Sequence, residues 1–211
     1  RDRFDVAQSD VDRVLTDFDP DILHVEGAEM SHARRFLTTW RGPRLLSMQG
    51  VLNGIRPYQL GALPVLRMLQ PTRPKHAVVA IALLMNYWLN FIPRLKSECE
   101  AMKLSEHVMG RTLWDQAQAM LLAPDAQYHR CSRILRDEFY ETNRKPEKIE
   151  SFSIFMGNAA VPLKGAHFAV KALGLLKQDY PSAKLYIAGQ DPRKLSWRSL
   201  KRLVGYPAYL I

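Results

Sequence analysis

The chain has 211 residues, 47% hydrophobic and 24% charged, with a formal net charge of +9 and two cysteines. That balance excludes a disordered chain, and the isolated Cys99 and Cys131 exclude a disulfide framework or a paired-cysteine zinc site, which points to a reducing compartment. The basic excess is uneven: residues 146–211 hold ten Lys and Arg against four Asp and Glu, a surface suited to a nucleotide diphosphate, anionic lipid or nucleic acid without choosing among them.

In chain order, VDRVLTDF (11–18) has apolar residues at helical spacing and is stopped by Pro20; DILHVEG (21–27) then reads as a short buried strand ending in glycine. ARRFLTTW (33–40) is a predicted helix, broken by Gly42 and Pro43 before a second strand, RLLSMQG (44–50). Helix and strand alternating through short connections is the pattern of parallel α/β units. Ligands of such sheets gather at the carboxyl ends of the strands, here Glu26-Gly27 and Gln49-Gly50.

Residues 51–106 are predicted to wrap this first sheet as helices. They include AVVAIALLMNYWLNFIP (77–93), an apolar run interrupted by Asn86 and Asn90, shorter than the ~20 residues a membrane span requires and read as a buried or interface-lying helix. The α/β rhythm then resumes. EHVMGRT (106–112) is a predicted strand, TLWDQAQAMLL (112–122) a helix with Thr112 as N-cap and Asp115 three residues on, and AQYHRC (126–131) another strand.

The charged ETNRKPEKIES (141–151) reads as a linker, dividing the chain into domains 1–145 and 146–211. After it come a strand, SFSIFMGN (151–158), a helix from Ala166 stopped by Pro181, a strand, AKLYIAGQ (183–190), and a basic helix, LSWRSLKRLVGY (195–206). Between the first strand and its helix stands VPLKG. A helix N-terminus offers unpaired N–H groups and partial positive charge to a phosphate; Lys164 adds a full charge there, and Gly165 permits close approach to the backbone. The alternative is a solvent-exposed loop lysine. No Walker loop and no GxGxxG after a strand is present.

Taken together, PDILHVEG, LLSMQG, EHVMGRTLWDQA, PDAQYHRCSRILRDEFY and IFMGNAAVPLKGAHFAVKALGLLKQDYPSAKLYIAG resemble, in the same order, the retaining family-four glycosyltransferases of the GT-B fold, with GRTLWD and ILRDEFY similar to a bacterial subgroup. The resemblance implies an α/β fold of two Rossmann-like domains, both incomplete: an acceptor-side domain over 1–145 and the first part of a donor-binding domain over 146–211. The Gly-rich loop of the first domain is expected before Arg1, and the paired glutamates that grip the donor are expected after Ile211.

It also implies transfer of a sugar from a nucleotide-diphosphate sugar to a sugar, polysaccharide or glycolipid acceptor with retention of configuration, in building cell-surface polymers or glycolipids. No metal ion, other cofactor or nucleic acid is expected; the location is cytoplasmic, with peripheral contact at the inner face of the membrane. Lys164 and Gly165 would hold the donor diphosphate, and Asn158 falls where many members carry an arginine. Arg111 would face the donor or, alternatively, pair with Asp115. Gln49, where relatives carry a histidine, lines the acceptor cleft with Gly50, Glu26 and Gly27. No catalytic residue is assigned, and His107, His129 and His167 read as surface or packed histidines. Two rival readings are a GT-B nucleotide-sugar epimerase and a non-catalytic basic protein that binds anionic lipid or nucleic acid.

Overall fold

The computed structural model describes residues 5–69, 74–143, 145, 147, 149–189 and 206–209, so the predicted basic helix 195–206 lies almost wholly outside the described residues. The protein is mixed α/β with parallel sheets. The chain divides into two compact units, residues 1–56 with 86–136, and residues 57–85 with 137–211.

In the first unit, helix α1 (Gln8–Phe18) ends where Asp19 turns left-handed at φ 40° ahead of Pro20. Strands β1 (Leu23–Glu26), β2 (Arg44–Ser47), β3 (His107–Gly110) and β4 (Gln127–Arg130) form one parallel sheet in the order β1-β2-β3-β4. The register Val25↔Leu46↔Val108↔Tyr128 puts these residues on one face, since side chains alternate along a strand. Helices α2 (Ser31–Thr39), α6 (Ile92–Lys103) and α7 (Leu113–Leu122) contribute Ala33, Leu37, Ala101, Met102 and Ala119 to the core with that face. His24, Glu26, Ser47, His107, Met109 and His129 lie on the opposite face. Thr112 and Asp115 form the capping box that the sequence predicts for α7.

The expectation that all of residues 51–106 wrap the first sheet requires correction. Only the one-turn α3 (Leu52–Ile55) and the stretch from Asn86 onward belong to the first unit. Residues 57–85, with the one-turn α4 (Val65–Met68) and the longer α5 (Pro74–Asn86), belong to the second. Leu63, Val65, Met68, Val79 and Ala80 bury themselves with Ala166 and Tyr206, and this apolar cluster explains the assignment. The second crossing also differs from the expected division at 145/146: it falls between Arg136 and Asp137, before the short α8 (Glu138–Glu141).

A π-helical turn, Tyr87–Phe91, joins α5 to α6. His76–Lys103 is thereby one helix of 28 residues, long and apolar enough to cross a membrane by length and composition, where the apolar run alone reads as too short. Val78, Ile81, Met85, Trp88 and Leu89 are exposed along it.

In the second unit, β5 (Ser153–Met156) and β6 (Lys184–Ile187) pair in parallel, connected through a 3-10 turn, Pro162–Lys164, and helix α9 (Ala166–Asp179). A last turn, α10, covers Tyr206–Tyr209.

Candidate functional site

The four strands of the first unit end side by side, as parallel pairing requires, at Glu26, Ser47, Gly110 and Arg130. Just beyond β1, Gly27 adopts φ 88°, a left-handed conformation that favours glycine, and its amide donates to the Ser47 carbonyl at 2.8 Å. A Cβ at this position would stand 2.5 Å from Glu29 Oε2, so the Glu29 carboxylate folds back over Gly27. Beyond β2, the Gln49 carbonyl accepts from Arg111 Nη2 at 3.3 Å, which brings two expected site residues together across the ends of β2 and β3. Gly50 is exposed with open space around it.

The alternative ion pair between Arg111 and Asp115 is not what forms. The Asp115 carboxylate accepts from the backbone amides of Arg111 at 2.8 Å and Thr112 at 3.0 Å, so it serves the start of α7. Glu26, expected to meet an acceptor hydroxyl, is ion-paired with Arg133 at 2.7 Å, with His24 Nε2 at 3.7 Å. His107 Nδ1 and His129 Nε2 stand 3.0 Å apart, one ring donating and the other accepting.

Two acidic residues near this edge are absent from the expected set. Glu98 of α6 is buried and accepts from Leu52 N at 2.7 Å and from Asn53 N and Nδ2 at 2.8 Å each, capping α3. It stands at core spacing with Leu95 and Met102, and a carboxylate inside an apolar stripe is a readable signal of an internal partner. Glu29 is half-buried; burial pushes its carboxyl above the usual carboxylate range, opposed by a hydrogen bond from its own backbone amide and by the Arg94 charge and reinforced by Glu98. Its Oε2 atom is shut from solvent and has no hydrogen-bond partner among the described residues, and the same holds for Gln49 Nε2.

In the second unit, the Lys-Gly turn is built by Gly165 at φ 72°, whose amide closes the 3-10 turn onto the Pro162 carbonyl at 2.9 Å. Lys164 is exposed, and among the described residues its side chain has no partner. Asn158 turns onto its own loop, its Oδ1 accepting from Ala160 N at 2.9 Å.

The first-turn amides of α9 are already engaged. Phe168 N and Ala169 N donate to the Gly165 carbonyl at 2.9 and 3.1 Å, and His167 N donates to the Tyr206 hydroxyl at 3.0 Å. The group at this helix start is therefore a phenol. His167 Nε2 donates to the Gly61 carbonyl at 2.9 Å and Nδ1 accepts from Tyr206 at 2.7 Å, a fully satisfied neutral ring whose pKa burial lowers. His167 thus ties together three segments of the second unit. Neither the role of Tyr206 nor that of Gly61 was foreseeable, because both depend on segments far from residue 167 in sequence.

Among the described residues, no group of three or more His, Cys, Asp or Glu side chains is placed to hold a metal ion. Comparison with family models, with curated proteins and with solved structures yields no match.

Proposed function

We propose that this chain is part of a retaining glycosyltransferase with two Rossmann-like domains, which transfers a sugar from a nucleotide-diphosphate sugar to a hydroxyl of a sugar, polysaccharide or glycolipid acceptor. The observation that carries this reading is the β5-turn-α9-β6 unit, in which an exposed Lys164, without a partner among the described residues, and a left-handed Gly165 stand between a strand and its crossover helix. A cation there, with the positive end of α9 behind it, suits a diphosphate. Because Tyr206 and the Gly165 carbonyl engage the first-turn amides, the ammonium group is the main contact on offer.

In the reaction, the bond from the anomeric carbon to the diphosphate oxygen breaks while the acceptor oxygen bonds to the same face of that carbon. The acceptor proton passes to the departing diphosphate. The protein's contribution is fixed positive charge where negative charge develops, supplied by Lys164. Peripheral contact with a membrane surface is favoured by exposed Trp88 and Leu89 on the long apolar helix.

Calorimetric titration with nucleoside diphosphates tests the donor site. Lys164→Ala should weaken binding about tenfold to a hundredfold, the loss of one charge-assisted contact, while Lys171→Ala on the same helix leaves affinity unchanged. Equal affinities for wild type and Lys164→Ala would return Lys164 to the status of a loop lysine.

A further inference from the structure

The face of the first sheet turned away from Leu46 and Val108 carries polar side chains, and two of them meet: His107 of β3 and His129 of β4, with Nδ1 and Nε2 3.0 Å apart. Both rings are only half-buried, so solvent reaches the pair. A neutral imidazole is also the commonest metal ligand. Two nitrogens that each lie about 2.1 Å from one ion are about 3.0 Å apart when they subtend a right angle and about 3.4 Å apart when they subtend a tetrahedral one. The spacing of His107 and His129 is therefore the bite of two adjacent positions on a square-planar or octahedral ion, the geometry of copper(II) and nickel(II), and is too short for tetrahedral zinc. Met109 stands opposite His129 in the register and on the same face, which sets a soft thioether beside the pair and favours copper.

We propose that His107 and His129 form a chelating site for a divalent copper ion, with Met109 at its flank and water in the remaining positions. The site is independent of the glycosyltransferase reading. In the free chain one ring donates its N–H to the other. On binding, the donating ring passes to its other neutral tautomer, its proton moving to the nitrogen that faces away, so that both facing nitrogens offer lone pairs; nothing is oxidised or reduced. The terminal torsion of a histidine has broad wells, and a modest turn of each ring lets the lone pairs converge on one ion. His24 lies on the same face without joining the pair: it stands on β1, two strands and about 10 Å from β3, and its Nε2 is 2.7 Å from Ser47 Oγ. Because β4 ends the order β1-β2-β3-β4, an ion shared by His107 and His129 fastens a terminal strand to its neighbour.

Titration of the 211-residue chain with Cu2+, and with Zn2+ for comparison, is the test. Substoichiometric Cu2+ should broaden the imidazole NMR signals of His107 and His129 before those of His24, His32, His76 and His167. Calorimetric affinity for Cu2+ should fall roughly tenfold or more in His107→Gln or His129→Gln, since losing even an outer partner of a metal ligand costs that much, while His24→Gln leaves it unaltered. Thermal midpoints without metal identify any variant that has lost its fold, in which case the NMR titration of the unaltered chain decides. Broadening that begins at other histidines, undiminished copper affinity in the folded variants, or zinc bound more tightly than copper at this pair would overturn the site.

Discussion

The two sheets are built from similar short apolar strands and differ in what covers them. In the first unit, Leu46 and Val108 are fully buried beneath α2, α6 and α7. In the second, Phe155 of β5 is 74% exposed and Tyr186 of β6 is 46% exposed. A strand's apolar content therefore does not determine its contribution to stability; the helices laid on its face do, because the driving force scales with the apolar area removed from water.

The largest expected effect sharpens this contrast. Leu46→Ala should destabilise the first unit by about 2–5 kcal/mol, the range for emptying a packed core position, whereas Phe155→Ala should cost under about 1 kcal/mol. Urea unfolding of both variants measures the difference; similar losses would mean that β5 is as well covered as β2.

A smaller effect separates the polar interiors. Tyr206→Phe removes the hydroxyl shared by His167 N and Nδ1 and should cost roughly 1–3 kcal/mol, because a buried amide and a ring nitrogen lose their partner. Hydrogen exchange at the His167 amide should speed up in this variant, while exchange at Val108 stays unchanged. Uniform acceleration throughout would show that the two units do not open independently.

The smallest change concerns pH. Glu29 has a raised folded-state pKa, so between its ordinary value and that raised value the folded chain binds more protons than the unfolded one, and stability falls as pH rises through this window. Glu29→Gln should therefore raise the thermal midpoint above the window and leave it nearly unchanged below. A midpoint difference independent of pH would exclude the carboxyl as its source. His167 has a depressed pKa and behaves in the opposite sense: its contribution is present above its ordinary value and is lost as acid protonates the folded-state ring.

The elements were largely legible along the sequence. Each of the six strands among the described residues falls within the stretch that apolar runs and Gly or Pro punctuation mark out, and Thr112 with Asp115 identifies the start of α7 without tertiary information. The site was legible only in part. Gln49, Arg111 and Lys164 stand out because strand ends and helix starts are local features. Glu29 resembles any other acidic residue before a helix until Gly27 is seen to give its carboxylate a place to fold.

What the sequence by itself determined is periodicity and punctuation, hence the alternation of helix and strand, the capping box and the Lys-Gly turn, because these depend on residues within a few positions of one another. Only the tertiary structure decided the partners. It placed 57–85 with the second unit, engaged the start of α9 with Tyr206, paired Glu26 with Arg133 and left Glu29 and Gln49 with hydrogen-bonding atoms unmet among the described residues. The physical reason is that an apolar stripe specifies that a face will be buried and not what buries it. A polar group likewise takes whichever complementary atom the packed chain brings within about 3 Å.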